Sequence, residues 1–295
     1  MCLFSFSFFV RGQLINLIIK SMQIELFERD TAALMIEKGD FSDKKIMIGL
    51  SGGINSMAVL CWLAEIAEEK KPLELHLFYA HFEEHSPDTR DFVLAGVEFA
   101  KKNFKTVFYK ETWNSIIAHF EKMKMIPHPA AIPICTKELK VIPIVNYMAE
   151  KRIEIDLVGY VRNERRREKR MFVNAPNMIY YKAFPIIDKD NEWCFGIVKE
   201  KIGWYPKIYD IRNEAGKRVF THNNCLPCKN MQKSDFELVR IHYPEYWQRA
   251  VDLSNRLKKH WGRDEEDFIK TYLSFGREDW EANFEKQNCA ICNFD

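Results

Sequence analysis

Short apolar runs alternate along this chain with stretches whose apolar residues recur at helical spacing. Residues 45–50, Lys-Ile-Met-Ile-Gly-Leu, read as a buried strand. Met57, Leu60, Cys61, Leu63, Ala64 and Ala67 then fall on one helical face and predict a helix over 57–69. The alternation continues with a strand at 73–80, a helix from Pro87-Asp88-Thr89 to about Lys102, and a short strand at 107–109. Helices follow at 113–124 and 136–151, the second kinked at Pro143, which has no N–H to donate. A fourth strand is expected at 153–159 and a short helix at 196–203, closed by Gly203. Pro176, Pro185 and the run Asp188-Lys-Asp-Asn mark 174–191 as mostly loop, with room for one strand. From Ser234 onward the pattern is helical, and the aromatic residues there read as packing positions. Strands alternating with helices in this way are the signature of a parallel α/β architecture.

Composition narrows the class. With 295 residues, 47% apolar and 29% charged, the chain is neither fibrous nor disordered. A net charge of +2 gives no global case for nucleic acid. Eight cysteines are too few for a secreted disulfide scaffold. Residues 1–10 are apolar, but Arg11, Gln13 and Asn16 interrupt them well short of the ~20 residues a membrane helix needs. No positive charge precedes the run and no small-residue cleavage site follows, so we expect a leader or an early start, with Met22 as the true one. The expected location is cytoplasmic, with no membrane partner.

The most informative segment is Gly49-Leu50-Ser51-Gly52-Gly53-Ile54-Asn55-Ser56, which follows a strand and opens a helix. Two adjacent glycines let backbone N–H groups approach an anion closely. The helix dipole adds to them, and the Ser51 and Ser56 hydroxyls supply further donors. No Gly-Lys-Ser/Thr follows, so this is not a Walker A loop.

Ser51-Gly-Gly-Ile-Asn-Ser56 resembles the Ser-Gly-Gly-x-Asp-Ser loop of the PP-loop ATP pyrophosphatases, and further segments resemble the phosphoadenosine phosphosulfate reductase branch of that family. These are Pro87-Asp88-Thr89; Cys135-Thr136-Lys-Glu-Leu139-Lys140 followed by Pro143; Gly159 with Arg162, Glu164 and Arg167; and Ile208-Tyr209, then Gly216, Arg218 and Cys225-Leu-Pro-Cys228. The likeness spans about residues 43–230. It implies a doubly wound, twisted parallel sheet occupying 32–230, with an extension at 1–31 and a helical, cysteine-containing extension at 231–295. It also implies ATP or an adenosine phosphosulfate as ligand, held by Ser51, Gly52, Gly53, Asn55 and Ser56, and chemistry of sulfonucleotide reduction or adenylation-coupled sulfur transfer.

The chain departs from that family in three places, one of them after the second strand, where Ala80-His81-Phe82-Glu83 stands in place of the family's Asp-Thr-Gly. Asn55 stands where ATP-cleaving members carry Asp, and an amide is a weaker ligand for Mg²⁺, so Glu83, Glu84 and Asp88 are the candidate replacements. The tail reads Asn288-Cys-Ala-Ile-Cys-Asn-Phe-Asp295 and lacks the reductase's Glu-Cys-Gly-(Ile/Leu)-His. Phe82 is a candidate contact for the adenine ring, and His81 for a phosphate.

Arg162, Arg165, Arg166, Arg167, Lys169 and Arg170 form a basic segment. It reads either as a solvated helix face, as oxyanion ligands with Arg162 and Arg165 foremost, or as a nucleic-acid surface. Lys140 and Arg162 are expected to stabilise charge on phosphate or sulfate oxygens. Cys225, Cys228, Cys289 and Cys292 form two Cys-x-x-Cys pairs that suit Zn²⁺ or an iron–sulfur cluster, with Cys135 or His222 as substitutes. Redox or persulfide chemistry, Cys135 included, is the rival reading and brings in a thiol or sulfur-donor protein. Two other functions stay open: a non-catalytic nucleotide-binding component of a defence or DNA-modification complex, and a tRNA or DNA sulfurtransferase.

Overall fold

The computed structural model describes residues 39–124, 134–165, 180–213, 216–226, 228, 231 and 233–261. At its centre lies β1 (Lys45–Gly49), flanked in parallel by β2 (Glu74–Phe82) and β4 (Ile155–Leu157). Outside β2 runs β3 (Val107–Asn114), and outside β4 runs β5 (Tyr181–Ala183), both again parallel. The strand order β3-β2-β1-β4-β5 therefore winds outward from β1 in both directions. This is the expected doubly wound sheet, and the winding reverses between β1 and β4.

Alternate residues of each strand face opposite helix layers. Ile46 and Ile48 on β1, with Leu75 and Leu77 on β2, join a core closed by α1 (Ile54–Ala64), α2 (Thr89–Asn103) and α5 (Asn191–Lys201). Met47 and Phe78 point the other way, onto Tyr147 and Met148 of α4 (Ile142–Lys151). α1 is apolar nearly all round because it lies sandwiched, with Met57, Ala58, Val59, Leu60, Cys61 and Leu63 all buried. In the expected C-terminal extension, Phe236 and Val239 of α6 (Lys233–His242) join the first core. Leu253 and Leu257 of α7 (Pro244–Trp261) pack with Cys135 and with Phe120 of α3 (Ile116–Met123). Among the described residues no helix is long and apolar enough to cross a membrane.

Several boundaries differ from the sequence expectation. β3 runs on through Asn114, so Trp113 belongs to a strand and not to a helix start. β3 is an edge strand whose residues alternate between part-buried and exposed, and its polar half, Lys110-Glu-Thr-Trp-Asn114, hides the strand signal. α5 begins at Asn191, five residues early, because Asp190 caps it by accepting the Trp193 N–H at 2.9 Å. Around Pro143 the helix does not simply kink. A helical turn at Ile134–Thr136 passes into a π-helical turn, Lys137–Val141, and then into α4. Pro143 has no N–H for the carbonyl four residues back, and the wide turn just before it accommodates that loss. The leader, with Met22, falls outside the described residues.

Candidate functional site

The glycine loop occupies the junction between β1 and α1, at the carboxyl end of the central strand. Gly52 has φ +77°, in the left-handed region, and a side-chain carbon there would collide with Thr89 Cγ2. Only glycine meets both conditions. Its carbonyl accepts from Asn223 Nδ2 at 3.0 Å, and the same amide donates to Thr89 Oγ1 at 2.8 Å. Ser86 Oγ lies 2.8 Å from Thr89 Oγ1 and 3.2 Å from Asn223 Oδ1, which completes a buried polar network. The Ile54 N–H donates to the Tyr209 hydroxyl at 3.2 Å, and burial pushes that phenol up to about 12. Gly159, beyond β4, allows the last side of the loop to close: a Cβ there would stand 2.8 Å from the Asn55 backbone.

Inside the loop, the Ser51 and Ser56 hydroxyls are held by the loop's own groups. Ser51 N–H donates to Ser56 Oγ at 3.2 Å, Gly53 N–H donates to Ser51 Oγ at 3.2 Å, and Ser56 Oγ donates to the Gly53 carbonyl at 3.0 Å. Asn55 and Ser56 lie in the first turn of α1, where N–H groups have no intrahelical acceptor. The loop therefore presents a set of inward donors at a helix N-terminus. A cavity of about 510 Å³ opens in front of them, between the ends of β1 and β4, the π turn and residues 219–224. Ser51, Gly53, Asn55 and Ser56 line it, and so do Lys140, Asp156, Glu164 and Asn223.

The carboxylates that line this cavity are not the ones the sequence suggested. Glu83 pairs with Arg249 at 3.0 Å. Glu84 is buried and accepts from Ser115 Oγ at 2.7 Å and from the Ile116 N–H at 2.9 Å, at the start of α3. Asp88 accepts from the Lys207 N–H at 2.7 Å. Glu164 takes their place: Asn55 Nδ2 donates to its Oε2 at 3.4 Å, while Asn55 Oδ1 is buried with no hydrogen-bond partner. Glu164 Oε2 also accepts from the Val161 N–H at 3.3 Å.

Other expected ligands lie elsewhere. Phe82 is only 1% exposed and does not line the cavity, because β2 runs on to include it and Lys140 Nζ sits 4.9 Å above its ring. His81 is bound up with the Tyr79 hydroxyl at 3.1 Å and the Trp113 ring at 4.2 Å, away from the cavity lining. Arg162 spends its guanidinium on the Asp188 carbonyl, donating from Nη2 at 2.6 Å and from Nε at 3.1 Å. Arg165 is exposed and outside the lining. Arg166, Arg167, Lys169 and Arg170 fall outside the described residues, as do Cys289 and Cys292.

Cys135, Cys225 and Cys228 are buried and form no disulfide among the described residues. Burial pushes the Cys225 thiol well up, with Cys228, Glu84 and Cys135 adding to that effect and Lys140 opposing it. Among the described residues, no three His, Cys, Asp or Glu side chains converge to hold a metal ion. The described thiols thus do not by themselves fit a zinc or iron–sulfur site.

Asn223, Tyr209, Asp156 and Lys182 also line the cavity, and the sequence did not single them out as candidates. Tyr209 stood inside a quoted motif, but its role as acceptor for a loop amide is a tertiary fact. Asn223 had one visible signal, its place just ahead of Cys225 in the segment resembling the family's cysteine element.

No family model and no curated protein matches the chain. Among solved structures, it is similar to the U34-tRNA thiolase NcsA from Methanococcus maripaludis with its 4Fe-4S cluster, at 13% identity and a TM-score of 0.42, over 90% of this chain and 82% of that one. It is similar also to the NH3-dependent NAD synthetase from Campylobacter jejuni, at 13% identity and a TM-score of 0.36, over 83% of this chain and 96% of that one. A third likeness is to NMN synthetase from Francisella tularensis, at 13% identity and a TM-score of 0.35, over 80% and 87%. At these scores the likenesses carry no argument about activity, and the fold class rests on the strand order and pairing described above.

Proposed function

We propose that this chain is a PP-loop-type enzyme that binds ATP and cleaves it between the α and β phosphates to adenylate an acceptor. The observation that carries the reading is the Gly52 junction: a loop at a helix N-terminus, fastened by hydrogen bonds to Asn223 and Tyr209, and lining a cavity at the point where the sheet's winding reverses. In this reading the β and γ phosphates displace the Ser51 and Ser56 hydroxyls from the loop amides. The hydroxyls then turn to donate to phosphate oxygens. A nucleophilic oxygen of the acceptor attacks the α phosphorus, the bond to the bridging oxygen breaks, and pyrophosphate leaves already bound to the loop. Lys140, on the cavity wall, is placed to stabilise charge that gathers on the phosphate oxygens.

Asn55 and Glu164 would hold a Mg²⁺ ion, since the Asn55 side chain reaches Glu164 and its Oδ1 is buried without a hydrogen-bond partner. When bound, the cation would shield the charge of the leaving pyrophosphate. Sulfonucleotide reduction fits less well, because it calls for a reactive thiolate and the three described thiols of the site region are buried. Adenylation followed by sulfur transfer is the second reading. It is favoured by one observation: Cys135 and Cys225 each adjoin a cavity-lining residue, Thr136 and Asn224.

The test is calorimetry with ATP and with adenosine phosphosulfate, alongside exchange of labelled pyrophosphate into ATP. Heat with ATP is expected, together with a fall of more than about tenfold in affinity for Gly52→Ala, since ~1.4 kcal/mol of lost loop geometry suffices for that. No heat with either nucleotide would end the proposal.

A further inference from the structure

Asp156 sits in the middle of β4, with Met47 of β1 and Lys182 of β5 as its register partners. It is 7% exposed, lines the cavity and makes no hydrogen bond among the described residues. Its surroundings form a largely apolar slot, with Met47 on the sheet, Ile144 and Val145 on α4, and Tyr180 just before β5, while among the described residues Lys182 is the one cation beside it. An ionised carboxylate is costly in such a place unless a donor reaches it. Burial pushes Asp156 up to about 6, and Lys182 only partly offsets this.

The slot and the phosphate loop are two ends of one cavity. Met47 lies four residues before Ser51, so the ends are separated by about 13 Å at ~3.3 Å per residue, the scale of an extended nucleoside polyphosphate. The end of β2, the other place where a base might lie, is closed, since Phe82 is buried beneath Lys140 and no β2 residue lines the cavity.

We propose that Asp156 is the base-reading residue of this site: the adenine ring enters the slot between α4 and the sheet, and its exocyclic amine donates to the Asp156 carboxylate. This inference rests on the nucleotide reading above and deepens it. A flat ring with apolar faces and an amino group at its edge matches a largely apolar slot with a buried carboxylate acceptor. A carbonyl at the same ring position would bring two acceptors face to face, and the ring N–H that accompanies it would reach the carboxylate only if the base shifted in the slot, so such a ring should bind more weakly. Asp156 touches only the base in this arrangement and takes no part in the chemistry.

The experiment compares three triphosphates by calorimetry near pH 7.5: ATP, inosine triphosphate, which carries a carbonyl in place of the amine, and purine riboside triphosphate, which carries neither. The full-length chain and Asp156→Asn are both measured, and a thermal melt confirms that the variant folds. The unaltered chain is expected to favour ATP over both analogues by about tenfold or more, the effect of one hydrogen bond to a charged acceptor. In Asp156→Asn the gap between ATP and inosine triphosphate is expected to narrow, because an amide can donate to the carbonyl. Equal affinity of the unaltered chain for ATP and purine riboside triphosphate would overturn the inference and leave the nucleotide reading standing. So would an unchanged preference for ATP over inosine triphosphate in Asp156→Asn. Failure of all three nucleotides to bind would overturn both.

Discussion

Asp156 also leaves a mark on stability. Its carboxyl holds a proton more tightly in the folded chain, at about 6, than in the unfolded chain near 3.8. The folded state is therefore favoured at low pH, and that contribution is lost as pH rises from about 4 to about 6, by up to ~3 kcal/mol. Asp156→Asn has no such proton to lose. The melting temperature of the variant, measured against that of the unaltered chain, should climb across this interval, and parallel curves would refute the assignment. At the same scale the loop was legible in the sequence, because a double glycine between a strand and a helix admits few other uses. Asp156 was not, because one acid in an apolar strand looks like a surface position until the neighbouring strands are in place.

The helices were read best where their apolar periodicity was intact, as in α2, and worst where a cap or an edge decided the boundary. Asp190 shows the difference, since its carboxylate begins α5 well before the periodic pattern does. Replacing it with Ala should lower stability by about 1 kcal/mol, seen as a lower denaturant midpoint with an unchanged slope. A changed slope would point instead to altered compactness. The π turn before Pro143 was legible only as an interruption. What it does, placing Lys140 on the cavity wall and over Phe82, depends on how α4 packs on Met47 and Phe78. Phe82 itself is buried and does not line the cavity.

For the molecule as a whole, alternating elements foretold the parallel sheet, and the resemblance added its double winding; both hold in the structure. The site was harder to foresee because its parts come from distant stretches of chain, and local patterns do not register long-range closure. Gly52 and Asn223 are 171 residues apart, Ile54 and Tyr209 155. Asn223→Ala removes the donor to Gly52 and should weaken ATP binding by about tenfold, for a loss of ~1–3 kcal/mol from a buried hydrogen-bonded group. Unchanged ATP affinity in a folded Asn223→Ala chain would show that the loop holds its shape unaided.

That long-range fastening sets an order of events during synthesis. A nascent chain can lay down β1, α1 and their neighbours early, yet the glycine bend stays unbraced until residue 223 clears the ribosome. Ribosome-bound chains halted before that point would carry the sheet with its glycine bend still unfastened, and on the nucleotide reading proposed above they would not yet retain a ligand.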